Sequence, residues 1–236
     1  MRRLVIILVV LLGLVVAADR IGVVVAERAL ATQVRDQLEL NATPGVDIRG
    51  IPFLTQALAG DYSDVRVSIP DVDSGPLQNI LVDARLQGVE VPLSKVVGRD
   101  VDAVPVDRIT GDLTIGYDDL ARASGINGLR IVRDGTGIRL SGSVEALGQQ
   151  LEASAVGRVE VENNDIVISA DQAEVGGVPV PQPVLDAAAR LLSFRVSPRG
   201  LPLSLRITSV RIGDTALAVS AESTDVVLRS GDLPAS

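Results

Sequence analysis

The sequence specifies an α+β fold in which an antiparallel sheet accompanies one long amphipathic helix, and three observations lead there. Apolar residues recur at helical spacing after an apolar N-terminal run, and from Val46 onward the period becomes two. The short β-type runs are punctuated by turn residues, with few intervening segments long enough for crossover helices. Strands joined in this way pair antiparallel, with helices as additions to the sheet.

Met1, Arg2 and Arg3 open the chain, and Leu4 to Ala18 then carries no polar or charged side chain. This is the charged and then apolar order of an export signal. A helix over these residues is about 22 Å long, short of the roughly 30 Å hydrocarbon core of a bilayer, so a cleaved signal fits better than a spanning helix. Val16, Ala17 and Ala18 supply the small residues of a cleavage site, and Asp19-Arg20 ends the run. The competing reading is an uncleaved anchor, lengthened by the second apolar stretch from Ile21 to Ala26. Arg2-Arg3 lacks the surroundings of a twin-arginine signal, which leaves general secretion. In both readings residues 1–18 are the export segment, and residues 19–236 form a single domain outside the cytoplasmic membrane.

From Asp19 to Leu40, Val23, Ala26, Leu30, Val34 and Leu38 recur at spacings of three and four, with charged and amide residues between them. The resulting apolar stripe needs a sheet or a lipid surface to cover it. Asn41 to Gly45 stops the helix. Hairpins dominate the remainder of the chain: Leu129–Arg133 and Ile138–Val144 flank Asp134-Gly135, Gly157–Glu162 and Ile166–Ala170 flank Asn163-Asn164-Asp165, and Leu203–Ile212 and Thr215–Ala221 flank Gly213-Asp214. Ile80, Val82, Ala84 and Leu86 alternate with Leu81, Asp83, Arg85 and Gln87, which gives that strand one buried and one wet face. Two further helices are predicted, over Tyr117–Ser124 and Pro183–Phe194. A faint repeat relates Gly50-Ile51-Pro52-Phe53 to Gly177-Val178-Pro179-Val180 and reads as a shared strand-to-helix corner.

The composition removes much chemistry. The chain contains no histidine, hence no imidazole base, no histidine metal ligand and no Ser-His-Asp arrangement. It contains no cysteine, so disulfides, thiolate catalysis and lipoprotein acylation are out of reach. Asp71-Val72-Asp73 and Asp118-Asp119 are the close carboxylate pairs, and they read as loop charge and helix N-terminal charge. Gly135-Thr136-Gly137 lacks the third glycine of a dinucleotide fingerprint. No catalytic residue, metal site or cofactor is expected. A formal charge of −8 repels nucleic acid and also an anionic lipid, so any head-group contact must be a local arginine effect.

Residues 50–67 read Gly-Ile-Pro-Phe-Leu-Thr-Gln-Ala-Leu-Ala-Gly-Asp-Tyr-Ser-Asp-Val-Arg-Val, which resembles the signature of the LmeA-like phospholipid-binding family of actinobacterial envelope proteins. The resemblance continues through the export segment, the Asp19–Leu40 helix, the Leu81–Val91 strand, the Leu201-Pro202-Leu203 turn and the closing Leu205–Leu228 strands. It implies a strongly curved antiparallel sheet wrapped around a long N-terminal helix, similar to tubular lipid-binding domains. It also implies an envelope location, a phospholipid ligand of phosphatidylinositol or another type, and a supporting role in glycolipid synthesis or lipid transfer. Ile51 departs from the aromatic expected at its position, which argues against stacking on a sugar head group.

On this reading the partners are a phospholipid and the outer face of the cytoplasmic membrane, and the chain is not an enzyme. The alternative is a ligand-free envelope scaffold. Acyl chains are expected between the helix stripe and the inner face of the sheet, against Val23, Leu30, Val34, Phe53, Leu54, Leu58, Leu191, Leu192 and Phe194. Arg66, on the strand leaving the corner, is the first choice for a phosphate contact.

Overall fold

A computed structural model describes residues 2–37, 40–74, 77–92, 95, 103–146, 149–175, 182–196 and 205–229. Helix α1 spans Arg2–Gln37 and α2 Phe53–Ala59, while α3 spans Tyr117–Ala123 and α4 Gln182–Leu192. The strands are β1 Gly45–Arg49, β2 Asp61–Ser74, β3 Leu77–Glu90, β4 Ala103–Gly116, β5 Arg130–Asp134, β6 Gly137–Ala146, β7 Gln149–Glu162, β8 Asp165–Val175, β9 Phe194–Val196, β10 Arg206–Ile212 and β11 Ala216–Arg229. They form two sheets, one of six strands in the order β1-β2-β3-β4-β11-β10 and one of five in the order β5-β6-β7-β8-β9. Every pairing whose register is described is antiparallel, so the α+β class stands.

α1 runs without a break through Ala18, Asp19 and Arg20, where the sequence placed the end of one segment and the start of another. Leu40 lies beyond its end, and the repeat partner Gly177–Val180 and the Leu201–Leu203 turn lie outside the described residues. The hairpins form within one residue of where turn chemistry placed them. Asn163 and Asn164 both take positive φ, 50° and 71°, and close the β7–β8 turn between paired Glu162 and Asp165. In the β5–β6 hairpin Asp134 already pairs with Gly137, so the turn itself is Gly135-Thr136, one residue later than expected, with Gly135 at φ 58°.

The chain divides into two compact units, the first of residues 1–69, 83–110 and 223–236, the second of residues 70–82 and 111–222. Unit 2 has a closed apolar core. Leu77, Leu120, Ile138, Leu140, Ile166, Ile168 and Leu217 are all 0% exposed there. Alternate residues of β6 and β8 supply Ile138, Leu140, Ile166 and Ile168, while α3 supplies Leu120 and α4 supplies Ala188 and Leu192. The Tyr117 hydroxyl donates to the Gly213 carbonyl at 2.7 Å and its N–H to the Thr215 carbonyl at 3.1 Å, tying α3 to the β10–β11 turn.

Candidate functional site

Unit 1 contains the segment that carries the resemblance, and its centre is the packing of α2 on α1. Phe53 and Ala57 are four residues apart and share the face of α2 that meets Val23 of α1. All three are buried, with Ala26, Ile48, Leu54 and Tyr62 packed around them. The Phe53 and Tyr62 rings lie 6.4 Å apart and tilted by 39°, and burial pushes the Tyr62 phenol above its ordinary pKa. Gly22 of α1 faces the Phe53 ring and Leu54, so no side chain stands between the two helices at that point.

Two carboxylates of α1 lock this arrangement. Asp19 is 3% exposed; its Oδ1 accepts the Leu54 N–H at 2.8 Å and its Oδ2 accepts from the Arg20 guanidinium at 2.7 Å. The first N–H groups of a helix have no partner inside it, and α2 has no side-chain cap of its own, so α1 caps it from outside. Further along α1, Glu27 Oε1 accepts the Ile48 N–H of β1 at 3.0 Å. Gln56 ties α2 to both adjoining strands: its Nε2 donates to the Arg49 carbonyl at 3.3 Å and its Oε1 accepts the Ser63 N–H at 3.1 Å. Asp19→Ala strands the Leu54 N–H and is expected to lower the melting temperature, with Asp19→Asn, which keeps an acceptor oxygen, between the two. A thermal melt in which Asp19→Ala matches the parent would show that the lock contributes nothing.

The β1–β2 hairpin beside this corner has two unlike faces. Ile48 pairs with Val65 and Val46 with Val67, and since Ile48 packs on the α1–α2 cluster this apolar face is the inner one. Val65 is buried, but Val46, Ile48 and Val67 are only half-buried, as are Leu30 and Val34 on the α1 stripe and Ala84 and Leu86 on β3. Unit 2 differs in degree: it has a large cluster of fully closed side chains, with half-buried ones such as Val82, Val159, Ile207 and Val210 on its margin.

The other face of the hairpin is charged. Arg66 pairs with Asp47 and Asp64 with Arg49 across the strands. The Arg85 guanidinium donates twice to Asp64, Nε to Oδ1 at 2.9 Å and Nη2 to Oδ2 at 2.9 Å. Arg66 reaches the same carboxylate only at 3.8 Å, and its Nε is buried with no hydrogen-bond partner. The pleat places Arg66 on the opposite side of β2 from Val65.

The structure therefore sorts the residues that the sequence offered. Val23, Phe53 and Leu54 come together, and Leu30 and Val34 continue their stripe along α1. Leu58 turns away from the Phe53–Ala57 face and is 79% exposed. Leu192 and Phe194 belong to the unit 2 core, Leu192 fully buried and Phe194 packed on its margin, and Leu191 beside them is 56% exposed. One carboxylate of each acidic pair has a structural partner: Asp73 accepts the Asn79 N–H at 3.2 Å, and Asp119 accepts from Asn79 Nδ2 at 3.1 Å and pairs with Arg122. Among the described residues no three acidic side chains cluster as a metal site would require.

One family model, described as LmeA-like phospholipid-binding, matches residues 17–222. The chain belongs to the LmeA-like phospholipid-binding family. The match takes in the α1–α2 lock, the β1–β2 hairpin and the whole of the unit 2 core. No curated protein and no solved structure matches the chain. For a member of the LmeA-like family the ligand class is a phospholipid. Sequence reasoning passed over Val46, Ile48, Val65 and Val67, although their alternation with Asp47, Asp64 and Arg66 was the available signal. Asp19 reads in the sequence as the end of an apolar run and the start of the next helix, and not as a cap, because the Leu54 N–H it serves lies far along the chain.

Proposed function

We propose that this chain is an exported envelope protein that holds the acyl chains of a phospholipid between the α1 stripe and the inner face of the β1–β2 hairpin, and that it carries lipid without chemical conversion. The half-buried Leu30, Val34, Val46, Ile48 and Val67, which line up along α1 and the hairpin beside it in the segment that carries the resemblance, carry this reading. Large apolar side chains left half open along a helix and the sheet beside it are what an acyl chain would cover. The absence of histidine and cysteine supports carriage over catalysis. The long apolar N-terminal helix supports export, and its unbroken run through Ala18 into the lock at Asp19 supports an uncleaved anchor.

Each buried methylene contributes about 0.8 kcal/mol, so one long acyl chain outweighs a single charged head-group contact of about 1.5–3 kcal/mol. Affinity is then set by the tails, and head-group preference is modest. Two variants test this in vesicle-to-protein uptake, after circular dichroism has shown that both fold. Leu30→Asp, which sets a carboxylate against the tails, is expected to weaken uptake by about ten-fold or more. Arg66→Ala, on the outer face of β2, is expected to change it little. Organic extraction of the parent that yields no phospholipid, together with no uptake, would overturn the reading in favour of a scaffold. Loss in Arg66→Ala alone would mean that the head group, and not the tails, governs binding.

A further inference from the structure

Among the described residues outside α1, the two most exposed large apolar side chains are Ile51, 82% exposed, and Leu58, 79% exposed. Both lie on the segment that joins β1 to β2. The hydrogen bonds to α1 fix where that segment is. Glu27 holds Ile48, and Asp19, eight residues nearer the N-terminus and so about 12 Å back along the helix axis, holds Leu54. β1 thus descends α1 toward its apolar end, the chain turns at Ile51-Pro52, and β2 climbs back in register with Val65 opposite Ile48.

The apolar end of α1 continues from this point. Leu4 to Ala18 falls short of a bilayer core, whereas Leu4 to Val25 measures about 33 Å against roughly 30 Å. Ile21, Val24 and Val25 are exposed, which suits the longer span. Asp19 and Arg20 interrupt it, but Asp19 is enclosed by α2 and satisfied by the Leu54 N–H and by Arg20. Arg20 is half exposed on a long stem that can reach toward head groups. Insertion of α1 as far as Val25 therefore brings the α2 corner to the membrane with it.

We infer that the corner carrying Ile51 and Leu58 seats in the lipid surface that α1 enters, with Asp19 sealed between the two helices. The inference rests on reading α1 as a retained, membrane-directed helix. It makes the corner a fixed point that holds the hairpin above it upright at the bilayer.

The chain has no cysteine, so single thiols report cleanly. A fluorescent probe is placed on Leu58→Cys or, as a control, on the exposed Asn41→Cys, in the full chain reconstituted into phosphatidylcholine vesicles containing phosphatidylinositol. The expected result is that the probe at 58 loses quenching by aqueous iodide and gains quenching by brominated lipid, while the probe at 41 does the reverse. Adding Ile51→Asp should restore iodide access at 58. Equal iodide access at 58 and 41 overturns the inference, as does protection at 58 that survives Ile51→Asp. Phospholipid uptake measured on the same samples separates the two readings. Protection at 58 without uptake supports the seat and counts against the groove, and uptake with the probe at 58 open to iodide overturns the seat alone.

Discussion

Gly60→Ala is expected to destabilise unit 1 by about 2–4 kcal/mol, the combined effect of a left-handed backbone and a steric clash. Gly60 ends α2 at φ 74°, donates its N–H to the Gln56 carbonyl at 2.7 Å and accepts the Val91 N–H on its own carbonyl at 2.7 Å. A Cβ at this position would stand 2.7 Å from the Pro92 Cα and 3.0 Å from the Pro92 nitrogen. Those are backbone atoms and cannot rotate aside. Gly125 provides the comparison, because its φ is 72° but nothing lies within 4 Å of the added carbon. Gly125→Ala therefore carries only the conformational part, about 1–2 kcal/mol. Urea titrations of both variants against the parent separate the two contributions. Equal losses at the two sites would mean that the Gly60–Pro92 approach is not tight in solution.

How much of this architecture could be read from the sequence depends on how local its causes are. The Asn163-Asn164 turn was legible because two adjacent residues that tolerate positive φ fix both the turn and the pairing of Glu162 with Asp165. The inner face of β3 was legible because Ile80, Val82, Ala84 and Leu86 alternate with residues that stay wet. The split into two sheets was not, since alternation says which face is covered and not which strand or helix covers it. The same limit explains Leu192: of the stripe read over Pro183–Phe194, Ala188 and Leu192 are buried, Leu191 is exposed and Phe194 lies in β9, and only the fold shows that the buried pair joins Ile166 and Ile168 in the unit 2 core. That Val23, Phe53 and Leu54 lie on apolar helix faces was legible because an amphipathic helix and a Pro-initiated one both announce themselves, and the fold packs the three together. Leu58 reads as part of the same apolar helical turn as Phe53 and Leu54, but it lies off the Phe53–Ala57 face and is exposed. Asp19 was missed as a cap because a capping residue supplied by another helix leaves no local pattern such as Ser-x-x-Glu.

Leu140→Ala is expected to cost unit 2 about 2–5 kcal/mol while leaving phospholipid uptake intact wherever the variant remains folded. Leu140 is 0% exposed on β6, and it sits in the same cluster as Ile138, Ile166, Ile168 and Leu120, all equally closed. Gly157 on the neighbouring strand β7 packs directly beneath it, with its missing Cβ only 3.1 Å from Leu140 Cδ1. Its fully enclosed neighbours relax only partly into the space vacated by Leu140, so a residual cavity adds to the lost burial. Uptake, in contrast, is assigned to half-covered residues of unit 1, none of which belongs to this cluster. The measurement is a denaturant titration, paired with vesicle uptake at low denaturant where dichroism shows the variant fully folded. A stability loss with uptake unchanged keeps the acyl chains with α1 and the β1–β2 hairpin. Uptake lost in the folded variant would instead place the tails against the unit 2 core, with Leu192 and Phe194 as their nearest apolar candidates.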